Sequence, residues 1–271
     1  MKIQNKVIVV TGGGNGIGRE LVLNLLSKGA KVAAVDISES ALQETSELAG
    51  SNKANLSTHV VDITNKEAVA ALPEQVIARH GAVDSVINNA GIIQPFVRVY
   101  ELDYAAIERV MNVNFYGTLY MTKAFLPHLL KRPEAHIANL SSMGGFLPVP
   151  GQSLYGASKA AVKLFTEALH SELMSTNVGV TVVFPGAIGT NIAANSGVAN
   201  TLRVENVDQE RVARTLAPSK AAEIIIDGIE HNRYRVMVGS DATFLDRFYR
   251  LSPERAASFI YKQMRSLLSE K

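Results

Sequence analysis

The chain of 271 residues contains no cysteine and no long apolar run. Without cysteine, the protein can form no disulfide, use no thiolate nucleophile and build no Cys-based zinc site. No apolar segment is long enough to span a bilayer, and the N-terminal residues lack the layout of a signal peptide. These absences exclude thiol chemistry and favour a soluble protein of the cytoplasm.

A large excess of charge of one sign is also missing. The chain has 27 Lys and Arg against 25 Asp and Glu, which leaves a formal net charge of +2. No dense Lys/Arg run accompanies this small excess, so we expect neither nucleic acid nor a membrane surface as a partner. Hydrophobic residues make up 47% of the chain, which is ordinary for a globular protein with a sizeable core.

Short β-branched runs alternate along the chain with longer helical patterns. The pattern predicts strands over residues 6–11, 31–36, 57–62, 83–88, 136–141, 179–184 and 235–238. It predicts helices over residues 17–28, 38–49, 66–80, 104–130, 155–175 and 218–231. Such alternation predicts βαβ units and a parallel sheet with helices on both faces. Since no linker-like composition interrupts it, we expect an α/β fold in a single domain that spans residues 1–271.

Two regions depart from this alternation. Residues 187–217 lack a clear period and are rich in Asn, Gly, Thr and Ala, which suits either a substrate lid or a plain surface loop. Residues 241–271 form a predicted helical extension, in which Ser252, Pro253 and Glu254 resemble a helix start. The apolar face predicted after that start contains Ala256, Phe259, Ile260, Met264 and Leu267. We expect this helix to pack on its own domain or a neighbouring subunit rather than on a membrane.

A glycine-rich turn joins the first predicted strand to the first helix. Its sequence is Thr11-Gly12-Gly13-Gly14-Asn15-Gly16-Ile17-Gly18. Glycines let the backbone approach a pyrophosphate closely, and the helix N-terminus then presents N–H groups and its dipole to the anion. The spacing T-G-x-x-x-G-I-G differs from G-x-G-x-x-G, but its place between a strand and a helix favours dinucleotide binding.

Asp36 ends the second predicted strand, about 20 residues downstream, where dinucleotide-binding proteins hold the adenosine ribose. A carboxylate there accepts hydrogen bonds from the ribose hydroxyls and repels a 2′-phosphate. Neither Ile37 nor Asn15 supplies the cation that a 2′-phosphate needs. Asp36 could instead cap the next helix, although Ser38 suits that role well. The sequence therefore favours NAD over NADP.

Tyr155 and Lys159 lie four residues apart on a predicted helix, so their side chains share one face. An ammonium beside a phenol favours the phenolate, and we therefore expect Lys159 to lower the pKa of Tyr155. A tyrosine shifted in that way exchanges protons with a substrate hydroxyl near neutral pH. An exposed Tyr/Lys pair is more commonly a solvated helix face, so the pair gains meaning only from the other motifs.

Taken in order, the motifs of residues 5–240 resemble those of the short-chain dehydrogenase/reductase family. After the glycine-rich turn come Asp62, Asn88-Asn89-Ala90-Gly91, Asn114, Asn139-Leu140-Ser141-Ser142, Tyr155 with Lys159, and Pro185-Gly186 with Thr190. The resemblance implies a Rossmann-type, doubly wound parallel sheet of about seven strands. It also implies an NAD-dependent oxidoreductase that acts on an alcohol or a carbonyl compound.

The resemblance implies roles for single residues as well. Tyr155 would be the general acid or base, Lys159 would hold the nicotinamide ribose, and Ser142 would bond the reacting oxygen. Asn114 would support a water that links Lys159 to solvent. Ser142 could instead cap a strand end, and Asn114 could bond its own helix. The implied cofactor contacts are Gly12, Asn15, Gly16, Ile17, Gly18, Asp36, Asp62, Ile63, Asn89, Ala90, Gly91, Tyr155, Lys159, Pro185, Gly186, Ile188 and Thr190.

The segments expected to face the substrate are residues 92–96, residues 144–149 and the lid. They are mostly apolar, which favours a neutral, rather hydrophobic secondary alcohol or ketone, although the same loops could pack against the core. Two other classes stay open: a nucleotide sensor, which the intact Ser/Tyr/Lys set disfavours, and a membrane-attached enzyme. No metal site is predicted. Because members of the family commonly pair their fourth and fifth helices, we expect a homodimer or homotetramer.

Overall fold

The computed structural model describes residues 1–198 and 215–265. Its strands, in chain order, are β1 (Val7–Thr11), β2 (Lys31–Asp36), β3 (Leu56–Val60), β4 (Ser85–Asn88), β5 (Ala135–Leu140), β6 (Val178–Pro185) and β7 (Arg235–Val238). They form one seven-stranded sheet in the order β3-β2-β1-β4-β5-β6-β7, and every neighbouring pair is parallel. The fold is the doubly wound α/β sheet that the sequence predicts.

Helices cover both faces of this sheet. They are α1 (Gly16–Ser27), α2 (Glu39–Leu48), α3 (Lys66–His80), α4 (Tyr104–Met111), α5 (Thr118–Leu129), α6 (Ser153–Leu173), α7 (Ile192–Asn195), α8 (Pro218–Glu230), α9 (Ser240–Leu251) and α10 (Pro253–Met264). Short α7 lies within the predicted lid, of which residues 199–214 lie outside the described residues.

Alternate residues of β1 enter two different apolar clusters. Ile8 and Val10 pack in a cluster with α1 and α8, whereas Val7 and Val9 pack in a cluster with α3, α5 and α6. Because successive strand side chains point to opposite faces, a strand covered on both faces is apolar at consecutive positions. The continuous apolar runs in the sequence have this cause.

The strand order reverses between β1 and β4, since β1 pairs with β2 on one side and with β4 on the other. In open α/β sheets such a reversal forms a crevice at the carboxyl ends of the strands. Thr11, at the end of β1, connects the two loops that border the crevice. Its hydroxyl accepts hydrogen bonds from the N–H groups of Asn89 and Ala90, each at 3.0 Å.

The helix predicted over residues 104–130 is interrupted. A π-helical turn, Asn112–Gly117, separates α4 from α5. At Gly117, a Cβ atom would lie 2.6 Å from the side chain of Ile63, so only glycine allows this close approach. Wide turns of this kind occur frequently at functional sites, and this one contains Asn114. The apolar periodicity of the sequence did not reveal it, because one wide turn changes the pattern very little.

The C-terminal extension contains two helices, whereas the sequence indicated a single helix start near Pro253. Leu245 of α9 and both Ala256 and Ile260 of α10 form a third apolar cluster with Leu147. The extension thus packs on its own chain. Phe259 was expected on the packed face but stays 39% exposed, and Leu267 lies outside the described residues. Among residues 1–198 and 215–265, no helix combines the length and the apolar character that are needed to cross a membrane.

His136 is a buried, neutral histidine in the middle of the sheet. Burial lowers its pKa to about 3. The hydroxyl of Thr181 donates to the carbonyl of Arg233 at 2.6 Å, so Nε2 of His136, at 2.9 Å, must donate to the same hydroxyl oxygen. The proton of the neutral ring therefore lies on Nε2.

We predict that the free energy of unfolding decreases as the pH falls below about 6.5, because the unfolded chain then binds a proton that His136 in the folded state does not. The slope from this one residue is about 1.4 kcal/mol per pH unit down to its folded pKa. Urea unfolding at pH 7 and pH 5 measures the change. His136→Gln keeps a donor and should lower the slope by the contribution of one proton, leaving the contributions of His80, whose pKa burial lowers to about 4, and of His59, whose pKa burial also lowers. An unchanged slope in that variant would contradict the assignment.

Candidate active site

A cleft of about 980 Å³ lies at the carboxyl edge of the sheet, among the loops that follow β1 to β6. It brings together residues that are far apart in the sequence. Of the predicted site residues, the following line it: Gly12, Asn15, Gly16, Ile17, Asp36, Asp62, Ile63, Asn89, Ala90, Gly91, Ser142, Tyr155, Lys159, Pro185, Gly186, Ile188 and Thr190.

Two predicted residues, Gly18 and Asn114, lie behind the wall of the cleft. A Cβ atom at Gly18 would lie 1.9 Å from the carbonyl oxygen of Gly12, so the turn and α1 meet at a point where only glycine fits. Asn114 is fully buried. Both residues therefore shape the cleft without lining it.

The glycine-rich turn has the geometry of an anion site. Gly12 and Gly16 adopt positive φ angles of 67° and 52°, a region that favours glycine. Asn15 is the N-cap of α1, and its side chain accepts a hydrogen bond from Gly16 at 2.7 Å. The N-terminus of α1 therefore presents its N–H groups and dipole to the cleft, which fits the pyrophosphate of a dinucleotide.

Two residues that the sequence did not single out hold this turn from behind. The Thr45 hydroxyl lies 3.1 Å from the carbonyl of Gly13, and Nη2 of Arg19 donates to the carbonyl of Gly14 at 2.6 Å. Arg19 also pairs with Glu44 at 2.6 Å. Because these side chains come from α1 and α2, no local spacing in the sequence could have indicated the contact.

Asp36 points its carboxylate at the turn. One oxygen accepts from the N–H of Gly14 and the other from the N–H of Ser38, each at 3.0 Å. These bonds fix the orientation of the carboxylate and leave each oxygen a further lone pair. Ser38 caps α2 with its own side chain, so Asp36 does not have that structural role.

Ser142, Tyr155 and Lys159 meet on the opposite side of the cleft. Ser142 follows β5 and is hydrogen-bonded to the Tyr155 phenol. It also accepts from the N–H of Gly144 at 3.1 Å, so it caps a short turn as well. Lys159 is buried, and its Nζ donates to the carbonyl of Leu140 at 3.0 Å.

The expectation that Lys159 lowers the pKa of Tyr155 is wrong for the protein chain by itself. Burial raises the pKa of Tyr155, and the hydrogen bond with Ser142 offsets only part of that rise. Burial also lowers the pKa of Lys159 to about 8. Nζ of Lys159 lies 6.0 Å from the centre of the Tyr155 ring. The loss of water around both groups outweighs their mutual attraction.

The side chain of Asn114 is hydrogen-bonded to the loop after β4 and to α6. Its Oδ1 accepts from the N–H of Ile92 at 2.8 Å, and its Nδ2 donates to the Ile92 carbonyl and the Ser158 hydroxyl, each at 2.9 Å. Gly91 allows these groups to approach, since a Cβ there would lie 3.0 Å from Nζ of Lys159 and 3.2 Å from Oδ1 of Asn114. Asn114 thus fixes the loop after β4 beside Lys159.

Asn88 bonds the neighbouring strand. Its Nδ2 donates to Oδ1 of Asn139 on β5 at 2.8 Å.

The Pro185-Gly186 turn is held by a residue that the sequence analysis did not single out. Asp241 of α9 accepts from the N–H of Ala187 at 2.7 Å, and a Cβ at Gly186 would lie 2.3 Å from the same carboxylate. The C-terminal extension therefore contacts the cleft wall.

The expected substrate segments contribute unequally to the cleft. Ile92, Ile93 and Ile192 line it, whereas residues 144–149 do not and instead place Leu147 against α9 and α10. The sequence also missed one face of α4 and the start of the π-helical turn, which line the cleft with Ala105, Glu108, Arg109, Asn112 and Val113. Their spacing of three and four residues is that of a single helix face, a signal the sequence does contain.

In the part of the chain that the structure describes, no His, Asp and Glu side chains cluster as metal ligands.

Comparison with known proteins agrees with this geometry. Residues 6–200 match the family model described as short chain dehydrogenase. The chain is 41% identical over 257 residues to SadH of Mycobacterium tuberculosis, a protein named provisionally as an oxidoreductase. That match covers 92% of this chain and 91% of SadH.

Solved structures show the same fold. A short-chain dehydrogenase/reductase from Burkholderia phymatum, in complex with NAD, superposes with a TM-score of 0.84 at 26% identity, covering 94% of this chain and 96% of the other. A short-chain dehydrogenase from Burkholderia cenocepacia, in complex with NADP, superposes with a TM-score of 0.80 at 28% identity, covering 96% and 99%. Both nicotinamide dinucleotides thus occur among similar structures.

We predict that Gly18→Ala abolishes tight dinucleotide binding, because the new methyl group would collide with the Gly12 carbonyl and displace the turn from the end of α1. The dissociation constant of NADH, measured by fluorescence titration, should rise at least about 100-fold, equivalent to about 2.7 kcal/mol. Ser27→Ala is the control on the same helix, because Ser27 is exposed at the far end of α1. An NADH affinity equal to that of the unmodified protein in the Gly18 variant would refute the close contact.

Proposed function

Because the chain belongs to the short-chain dehydrogenase/reductase family, we propose that this oxidoreductase transfers a hydride between NAD(H) and a neutral, apolar secondary alcohol or ketone. The observation that carries the proposal is the meeting of Ser142, Tyr155 and Lys159 in one cleft with the glycine-rich turn. Proton-transferring groups and an anion-binding helix N-terminus then lie within the reach of one extended dinucleotide.

Tyr155 moves the proton in this proposal. Its phenol donates to the carbonyl oxygen during reduction and accepts from the hydroxyl during oxidation. Ser142, which is hydrogen-bonded to that phenol, holds the reacting oxygen and stabilises the charge that develops on it. When bound, the nicotinamide supplies or accepts the hydride. Lys159, with its Nζ next to Gly91 and the Leu140 carbonyl, positions the nicotinamide ribose.

The preference for NAD is argued from charge. The carboxylate of Asp36 lines the cleft with its orientation fixed by Gly14 and Ser38. A 2′-phosphate there would meet a negative charge at close range. The nearest arginine in the sequence, Arg19, is engaged with Glu44 and the Gly14 carbonyl. These contacts favour NAD over NADP.

The substrate class is argued from the walls of the cleft. Ile92 and Ile93 from the loop after β4 line the same cavity as Ile192 of α7, while Glu108 and Arg109 line it from α4. The apolar part of the wall favours substrates that bury hydrocarbon surface, at roughly 25 cal/mol per Å². A panel of aliphatic, cyclic and aromatic secondary alcohols and ketones, run with both dinucleotides, tests this choice directly.

We predict that Tyr155→Phe lowers kcat by about 10²- to 10⁴-fold, because the phenyl ring cannot exchange a proton. The dissociation constant of NADH should stay within about threefold, since the ring itself is retained. Steady-state kinetics and fluorescence titration measure the two quantities. Tyr104→Phe is the matched control, because Tyr104 is 82% exposed and outside the cleft. A kcat of the Tyr155 variant close to that of the unmodified protein would contradict the proposed mechanism.

We predict that Asp36→Ala shifts the cofactor preference toward NADP. Removal of the carboxylate eliminates both the repulsion of a 2′-phosphate and the bonds to the ribose hydroxyls. The ratio of kcat/KM for NADP to that for NAD should rise at least about 10-fold, equivalent to about 1.4 kcal/mol. Glu39→Ala removes the same charge three residues away and should leave the ratio unchanged. The assignment of Asp36 is wrong if both variants keep the original ratio.

A further inference from the structure

The helix that carries Tyr155 is capped by a side chain from a distant part of the chain. Gln152, the N-cap of α6, makes no capping bond with its own side chain. Instead, Oε1 of Gln94 accepts from the N–H of Leu154 at 2.8 Å and from the N–H of Tyr155 at 3.0 Å. The first N–H groups of a helix have no partner within the helix. Gln94 therefore replaces the missing local cap.

Gln94 is itself held in place at both ends. Its Nε2 donates to the carbonyl of Gly151 at 3.0 Å, and Nε2 of Gln152 donates to the backbone carbonyl of Gln94 at 2.8 Å. Both glutamines are buried, at 0% and 3% exposure. A buried amide with bonds on both of its polar atoms has one well-defined position.

The residues just before Gln94 bind two further parts of the site. Ile92 is bonded through both its N–H and its carbonyl to the side chain of Asn114 in the π-helical turn. The N–H of Ile93 donates to the buried hydroxyl of Ser196, directly after α7, at 3.0 Å. Three consecutive residues thus connect the start of α6, the π-helical turn and the end of α7.

We propose that Gln94 is a positioning residue for proton transfer, which sets the place of the Tyr155 phenol relative to Ser142. The inference rests on the function proposed above for Tyr155. One of the two N–H groups that Gln94 accepts from is that of Tyr155 itself, so a loss of the acceptor acts directly on the backbone that carries the phenol. A displacement of about 1 Å at a reacting group can cost about 100-fold in rate.

A pair of substitutions separates the acceptor role from simple packing. Gln94→Met has nearly the same shape but offers no acceptor to the start of α6. Gln94→Glu keeps an acceptor oxygen for the start of α6, and its protonated form also keeps a donor for the Gly151 carbonyl. With a ketone that the unmodified protein reduces, we expect Gln94→Met to lower kcat at least about 10-fold, while Gln94→Glu stays within about threefold. The KM of the ketone and the dissociation constant of NADH should change less than about threefold in both.

The kinetic isotope effect distinguishes misplacement from loss of stability. If Gln94→Met slows the chemical step, the primary deuterium effect on kcat with deuterated NADH should increase relative to the unmodified protein. Thr181→Val is the structural control. It removes the buried hydroxyl of Thr181 on β6, which donates to the carbonyl of Arg233. That variant should melt at a lower temperature with an unchanged kcat. If Gln94→Met does not fold, Gln94→Asn keeps the amide and shortens its reach, and it should show the same loss.

The inference is wrong if the folded Met or Asn variant keeps kcat within threefold, or if the Met and Glu variants lose kcat equally. Tyr155→Phe is measured with the same ketone, so that the two proposals can be told apart. If that variant retains turnover, both the proposed function and the role of Gln94 are wrong. If it is inactive while Gln94→Met turns over like the unmodified protein, only the role of Gln94 is wrong.

Discussion

The contact between the loops that follow β1 and β4 is the constraint on which the site depends. Thr11 bonds the backbone of Asn89 and Ala90. Gly18, in the first turn of α1, lets that helix lie against the carbonyl of Gly12 at the start of the glycine-rich turn. With these two loops fixed, Gly91 is close enough to Lys159 and Asn114 for all three to share one small volume. The side of the cleft with the glycine-rich turn and the side with Lys159 are therefore positioned by the same pair of loops.

Burial shapes the electrostatics of this volume more strongly than the pairing of charges does. In the protein chain alone it raises the pKa of Tyr155 and lowers that of Lys159, so both shifts favour the uncharged forms. In the proposed mechanism, a positively charged nicotinamide bound in the cleft would favour the phenolate instead. Cofactor binding would then make Tyr155 more ready to accept a proton.

The sequence predicted those features that depend on local spacing. Strand runs, the glycine-rich turn, Asp36 and the Tyr155/Lys159 pair are all read within short windows, and the alternation of strands and helices predicts the parallel sheet. The features it missed join distant segments. Gln94 caps a helix that starts far along the chain, Asp241 reaches the Gly186 turn from the C-terminal extension, and the pKa of Tyr155 depends on burial that no spacing encodes.

The C-terminal extension contacts the wall of the cleft at one place and packs behind the site at another. Through Leu245, Ala256 and Ile260 it supports Leu147, a few residues after Ser142, and through Asp241 it holds the turn after β6. Neither contact involves a group assigned to proton transfer. A change in the terminal helices would therefore act on the cleft wall at the turn after β6, and not directly on Ser142, Tyr155 or Lys159.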